Sequence, residues 1–221
     1  MTPLEAIRSR HSVRQYKDQP IEPELRALLC EEIEKINAES GLNIQLICDE
    51  PKAFDSFMAH YGNFTGVRNY FAIAYKKGED AQEKIGYYGE RLVLFAQMLG
   101  LHTCWVALTY KRVPDVVKIS KDEKLSLVIS IGHGRNRGVS HKSKPISTLA
   151  PDYDASPEWF KNGVDAALLA PTATNQQKFT LTLEGDKVKA KAGLGFYSKM
   201  DLGIVKYHFE IGSGKDSSIW A

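Results

Sequence analysis

Residues 80–100, DAQEKIGYYGERLVLFAQMLG, carry the longest run of helical periodicity in the chain. Ile85, Tyr88, Leu92, Phe95 and Leu99 fall on one stripe, and Gly100 closes it. Such a stripe needs a second layer to cover it. The neighbouring segments supply strand material rather than more helix. LNIQLIC and YFAIAYK precede the stripe, and HTCWVAL and LSLVISIG follow it, all rich in β-branched and aromatic residues. The chain is therefore expected to combine helices with a sheet.

Local signals mark further elements. Thr2, Pro3 and Glu5 spell a capping box with proline at the first helical position, so a helix is expected over TPLEAIRSR. PELRALLCEEIEKINAES sets Leu25, Leu28, Leu29, Ile33 and Ile36 on one face, with Gly41 as its stop. PKAFDSFMAHYG reads as another helix. From Arg135 to Asp154 the composition turns basic and rich in proline and serine, which suggests a long connecting loop. Beyond it come a helix in SPEWFKNGVDAALLAP, with Ser156 as cap, and a hairpin in KFTLTLEGDKVKAKA turning at Gly185-Asp186. A last helix, SKMDLGIVKYHFEIG, turns Leu202, Val205 and Phe209 inward. Helix, strand material and helix thus recur, which makes a degenerate internal duplication a hypothesis.

Composition narrows the class. At 221 residues, 43% hydrophobic and 25% charged, the chain suits one sizeable core or two lobes sharing one. The net charge of +2 argues against nucleic-acid binding over the whole surface. No signal pattern or membrane-length apolar run is read. Three cysteines, Cys30, Cys48 and Cys104, have no CxxC spacing, so a cytoplasmic location is expected. The histidines at 11, 60, 102, 133, 141 and 208 lack metal-ligand spacing, and no metal is expected. Cys104 reads as packing.

Three stretches carry chemistry. In RHSVRQY, an extended backbone would point Arg10, Ser12 and Arg14 the same way, a cluster of donors that invites a phosphate. The plain alternative is that the arginines pair with Glu5 or Asp18 at the surface. In APTATNQQKF, Pro171 ends a helix, and Thr172, Thr174 and Asn175 offer polar groups on a backbone expected to leave N–H and C=O groups open; an ordinary turn is the alternative. In GHGRNRGVSHKSKP, Arg135, Arg137, Lys142 and Lys144 form a second cationic group, with glycines for close approach. A solvated loop or a nonspecific nucleic-acid patch is the alternative there, though interleaved aromatics are missing.

Together these stretches resemble the nitroreductase family of FMN-dependent oxidoreductases, in a short and diverged branch. RSRHSVRQY resembles the family's Arg-x-Ser-x-Arg/Lys-x-Phe/Tyr phosphate segment. LAPTATNQQKF resembles its Ala-Pro-Ser-x-x-Asn segment, with Thr172 in the serine place and without the Pro-Trp pair. GERLVLFAQMLGLHTCWVALT resembles the long helix leading to the strand beside the flavin, and VISIGHG resembles the Ile-Gly-x-Pro strand. The order departs from the family, because the Ala-Pro-Thr turn comes late and the second half has no basic partner segment. A single chain imitating a dimer, with one FMN site, is the resulting expectation, in a larger lobe at residues 1–150 and a smaller one at 151–221.

The resemblance implies an α+β fold, nitroreductase-like, with helices around a mostly antiparallel sheet in two pseudo-repeated lobes. It implies that Arg10, Ser12 and Arg14 fasten the FMN phosphate and ribityl end, with His11 adding backbone or ring contacts. Trp105, Val106 and Ala107 would lie against the ring system, and Pro171, Thr172, Ala173 and Asn175 would reach it from the other lobe. Lys142 and Lys144, then Arg135, are further phosphate ligands. No side chain is expected to be catalytic, since the flavin carries the hydride. The implied activity is ping-pong transfer from NAD(P)H through FMN to a nitroaromatic, quinone or flavin acceptor, by a monomer or weak homodimer. A flavin- or anion-binding module without turnover is the alternative.

Overall fold

The computed structural model describes residues 1–55, 57 and 61–221. The helix expected over PKAFDSFMAHYG lies in part outside the described residues. The chain divides into two compact units, one of Arg10–Asp80 and Leu92–Val139, the other of Met1–Ser9, Ala81–Arg91 and Ser140–Ala221.

The first unit is built on a four-stranded sheet of β1 (Asn43–Ile47), β2 (Asn69–Lys76), β3 (His102–Val106) and β4 (Glu123–Gly132), in the order β1-β2-β4-β3. Every neighbouring pair is antiparallel, as expected. The central strand β2 is buried from Asn69 to Ala74, which explains why YFAIA is apolar without alternation. Opposite it, Phe71 pairs with Ile129, and Ile129 in turn with Trp105. Helix α2 (Pro23–Ser40) packs against β1 through Leu29, Ile33 and Ile36, while Leu28 is exposed. Gly41 ends it in the left-handed conformation at φ 69°, its N–H donating to the Asn37 carbonyl at 2.9 Å.

The second unit is mainly helical: α1 (Pro3–Ser9), α4 (Ile146–Leu149), α5 (Glu158–Ala167) and α6 (Ser198–Ser213), with a hairpin of β5 (Phe179–Glu184) and β6 (Lys187–Ala192). The hairpin turns at Gly185-Asp186 as read from the sequence. The Thr2–Glu5 capping box also forms, with Thr2 N–H donating to the Glu5 carboxylate at 2.7 Å and Glu5 N–H to the Thr2 hydroxyl at 3.3 Å. Phe160 of α5 and Phe209 of α6 meet edge to face with centroids 5.7 Å apart. The long helix α3 (Gln82–Met98) contributes residues 82–91 to this unit and 92–98 to the other. Among the described residues no helix is long and apolar enough to cross a membrane.

Three local expectations change. Ser156 does not cap α5: the helix begins at Glu158 behind Pro157, and the Ser156 hydroxyl donates back to the Asp152 carbonyl at 2.7 Å. The segment 135–154 is not all loop, because Ile146–Leu149 winds into one turn. Strand β3 stops at Val106, so Ala107 is the first residue of a bend.

Candidate functional site

In the sheet unit, residues 10–17 run extended alongside β3, the edge of the sheet. Val13 N–H donates to the Thr103 carbonyl at 3.0 Å, and Tyr16 N–H to the Thr65 carbonyl at 2.9 Å. Lys17 N–H reaches the His133 carbonyl at 2.8 Å. An exposed sheet edge is thereby covered by the basic segment itself. Burial falls on Arg10, Val13 and Tyr16, a spacing of three rather than two. Arg10 is 4% exposed. Ser12 is half-buried and Arg14 exposed, so the three do not share one environment.

All three nevertheless act on Cys104. Burial pushes the Cys104 thiol up, and the Arg14 charge, a hydrogen bond with Ser12 and the Arg10 charge act against that rise. The Cys104 thiol is thus a hydrogen-bond neighbour of Ser12, a contact that spacing alone gave no reason to expect. Beneath it lies a buried polar chain: the Tyr16 hydroxyl donates to the Val13 carbonyl at 2.7 Å and stands 2.9 Å from the Ser130 hydroxyl, which donates to the Cys104 carbonyl at 3.3 Å. The Arg14 guanidinium lies 5.9 Å from the centre of the Phe64 ring. Trp105 is half-buried, Val106 buried and Ala107 half-buried at the end of β3.

Positive charge accumulates around this segment. Burial lowers the His102 imidazole, and His133, Arg137 and Lys17 lower it further. Gly134 N–H donates to His102 Nδ1 at 3.3 Å. Arg135 has a bracing task, with Nε on the Tyr16 carbonyl at 2.8 Å and its backbone N–H on the Gln15 carbonyl at 2.8 Å. Gly138, at φ 72°, packs against the chain's own backbone: a side chain there would meet His11 Cβ at 2.7 Å and the Ser12 carbonyl at 2.9 Å. Guanidinium groups beside a hydroxyl are the donor set a phosphate requires.

In the helical unit, the bend after α5 holds three non-glycine residues at positive φ: Thr174 at 50°, Asn175 at 56° and Gln177 at 42°. Four of its N–H groups are not left open. Ala173 N–H donates to Asp201 Oδ1 at 2.9 Å, Asn175 N–H to the Thr172 carbonyl at 2.9 Å, Gln176 N–H to the Ala173 carbonyl at 2.9 Å and Gln177 N–H to the Thr172 hydroxyl at 3.1 Å. Asn175 Nδ2 and Gln177 Nε2 both donate to the Lys142 carbonyl at 2.9 Å, and Gln177 Nε2 also to Asn175 Oδ1 at 2.7 Å. Lys144 closes the other side, its ammonium 2.7 Å from the Gln176 carbonyl and 3.1 Å from that of Gln177. Lys144 therefore braces the bend, while the Lys142 side chain is exposed. Pro171, Thr172 and Ala173 are half-buried. Gln176, Gln177 and Asp201 are site-building residues missing from the sequence reading. The adjacent Gln176-Gln177 pair, two amides beside a proline turn, was the only signal for them.

A four-stranded antiparallel sheet carrying a basic segment on its edge, joined in one chain to a helical unit with a proline-initiated polar bend, defines a nitroreductase-class α+β protein. Residues 3–213 match the family model described as "Putative TM nitroreductase", and the chain belongs to that family. Solved structures agree on the fold. A protein described as a "putative nitroreductase" from Thermotoga maritima superposes with a TM-score of 0.69 at 24% identity, covering 96% of this chain and 83% of that one. One from Desulfovibrio desulfuricans, solved in complex with FMN, gives 0.53 at 20% identity, over 67% of this chain and 95% of its own. An NADH dehydrogenase/NAD(P)H nitroreductase from Bacteroides thetaiotaomicron gives 0.51 at 18% identity, over 66% and 95%. No curated protein matches the chain in sequence.

Proposed function

We propose that this protein is an FMN-dependent oxidoreductase that takes electrons from NADH or NADPH and delivers them, in ping-pong fashion, to a nitroaromatic, quinone or flavin acceptor. The observation that carries the reading is the basic segment Arg10–Arg14 laid along the β3 edge of the sheet, bonded there through Val13 N–H and leaving Arg14 exposed. Bound FMN would supply a ring that accepts and donates hydride. Arg10, Ser12 and Arg14 would hold its phosphate and ribityl end, with His11 beside them, and the Arg14 charge would favour an electron-rich ring. Trp105, Val106 and the Ala107 N–H contact the ring system. By the family resemblance alone, Pro171, Thr172, Ala173, Asn175 and Lys142 of the bend would be further contacts. Arg135 and Lys144 act by holding these two segments in shape. No side chain need transfer a proton, because solvent reaches the exposed Arg14 end.

The chain works, on this reading, as an intramolecular pseudo-dimer in the cytoplasm. Support comes from a reciprocal contact inside the helical unit. A side chain at Gly86 of α3 would collide with the Met200 carbonyl of α6, and one at Gly203 would collide with the Glu83 carbonyl. Each glycine faces the residue three before the other, the exchange expected where two like halves meet.

The test is FMN retention. Wild-type protein is expected to purify yellow and to be bleached by NADH or NADPH. Arg14→Ala and Arg10→Ala should each weaken FMN binding by about 10- to 100-fold, the loss of one charge-assisted contact to phosphate. Unchanged retention in both variants would remove the basic segment from the site. A yellow protein that neither nicotinamide bleaches would point to the binding module without turnover.

A further inference from the structure

The cysteines differ in their surroundings. Cys104 is buried, whereas Cys30 of α2 is exposed and Cys48, one residue past β1, is half-buried. Cys30, Cys48 and the residues that position them all belong to the sheet unit. Two tethers fix how α2 lies along β1. Asn37 Nδ2 donates to the Ile44 carbonyl at 2.9 Å, and Ile44 N–H donates to Asn37 Oδ1 at 2.8 Å. Towards the start of the helix, Arg26 Nη2 donates to Asp49 Oδ2 at 3.1 Å and Arg26 Nε to the Ile21 carbonyl at 2.8 Å. Residues 37 and 26 are separated by about 16.5 Å of helix, and residues 44 and 49 by about 16.5 Å of extended chain, so the two run side by side. On the same scale Cys30 stands about 10 Å from Asn37 and Cys48 about 13 Å from Ile44. The two cysteines are thus level to within about 3 Å along the shared direction.

Their facing agrees with their level. Arg26, Cys30, Ile33 and Asn37 follow at steps of four, three and four residues, one stripe of the helix. On the strand, Asn43 and Gln45 turn onto the Lys118 carbonyl at 3.0 and 2.6 Å, which leaves Ile44, Leu46 and Cys48 on the face that α2 covers. At the Asn37 end a side chain as short as asparagine spans the gap, which is of the size a disulfide bridges between Cα atoms about 4.4–6.8 Å apart. The backbone behind Cys48 is held as well. Asp49, at φ 54°, donates its N–H to Asn69 Oδ1 at 3.1 Å, and Glu50 N–H reaches the Arg68 carbonyl at 2.8 Å. Burial pushes the Cys48 thiol up; the Arg26 charge acts against that rise, and Asp49 and the Cys30 thiol add to it. The two sulfurs are therefore electrostatic neighbours.

We propose that Cys30 and Cys48 form a dithiol site that reacts with a low-molecular-weight disulfide, such as oxidised glutathione, and closes into an intramolecular disulfide clamping α2 to β1. The exposed Cys30, as thiolate, attacks one sulfur of the small disulfide, whose S–S bond breaks to release one small thiol. Cys48, once deprotonated, attacks the Cys30 sulfur of the mixed disulfide, and the second small thiol leaves. Two protein thiols are oxidised, two electrons reduce the small disulfide, and the two protons end on the two released thiols. The site stands at β1, the opposite edge of the sheet from β3 and the basic segment, and is independent of the flavin reading.

The test uses the purified full-length protein, treated with oxidised glutathione, quenched by alkylation and read by mass spectrometry. Wild type is expected to lose about 2 Da before reduction and to join tryptic peptides 27–35 and 36–52 through a link that dithiothreitol reverses. Cys48→Ser should instead keep one glutathione on Cys30, and Cys30→Ser should react at least about ten-fold more slowly. In a glutathione redox buffer, the native pair should close with an effective concentration at least about ten-fold above that of the same pair in guanidinium chloride. Wild type that holds glutathione on Cys30 without the link would overturn the proposal, as would a link to Cys104 or a disulfide between two chains. Equal effective concentrations with and without denaturant would overturn it too, because the fold would then contribute nothing to bringing the two thiols together.

Discussion

Gln177 shows how much one residue can hold together. It is 3% exposed at φ 42°, its Nε2 bonds Lys142 and Asn175, and its Oε1 accepts the Lys144 N–H at 2.8 Å. Gln177→Ala leaves the part-buried Lys144 N–H without its acceptor and takes one of two donors from the Lys142 carbonyl, so it should destabilise by about 1–2 kcal/mol in denaturant unfolding. Gln177→Gly deletes the same bonds but relieves the positive φ, and should unfold about 1 kcal/mol later than the alanine variant. Equal losses would mean that the backbone conformation costs nothing there. The capping residues Thr2 and Glu5 were legible because cap and partner lie within one turn. Gln177 was not, since its partners come from a segment more than thirty residues away that only folding brings beside it.

Among the elements, α3 and α6 depend on glycines that ordinary propensity would disfavour. In an exposed helix Gly→Ala stabilises by about 1 kcal/mol. At Gly203 the sign should reverse, because the new methyl group meets the Glu83 backbone, which has no rotamer to yield. Gly203→Ala and Gly86→Ala are each expected to cost about 3 kcal/mol or more and to lower Tm by roughly 6–12 °C. A neutral or positive shift in calorimetry would refute the close crossing. Periodicity and stop signals foretold these helices, and Gly41 and the Gly185 turn fell where left-handed backbone is needed. Helix starts were harder to read. Ser156 has the right chemistry for a cap, yet its hydroxyl found a nearer carbonyl in Asp152.

Across the whole molecule, long-range polar contacts tie late residues to earlier ones. Trp220 Nε1 and the Tyr87 hydroxyl both donate to Glu210, at 2.6 Å each, and Ala221 N–H donates to the Val188 carbonyl at 2.9 Å. Burial raises the Glu210 carboxyl above its usual value; Tyr87, Trp220 and Lys206 act against this, and Asp216 adds to it. A raised pKa means the folded state holds the proton more tightly than the unfolded chain. Glu210 therefore favours folding fully below the ordinary carboxylate pKa, and that contribution is lost as pH rises through the folded value. Glu210→Gln mimics the protonated form and keeps an acceptor for Trp220. Its Tm relative to wild type should climb as pH is raised from about 4 to 7, above the ordinary carboxylate range. A difference that stays flat across that range would show that the carboxyl titrates alike in both states.

By itself the sequence determined most helices and strands and the stretches worth watching, because periodicity, caps and turn residues act over a few positions; the antiparallel pairing came from the family resemblance. Tertiary structure decided which charges remain available. Arg135 and Lys144 read as phosphate ligands in one dimension, and in the fold each also bonds carbonyl oxygens of a neighbouring segment. Cys104, an apolar strand residue by pattern, has the Ser12 hydroxyl bonded to its thiol and feels the charges of Arg14 and Arg10. A buried or strained backbone group must find a partner wherever the fold supplies one, and that requirement has no local signature.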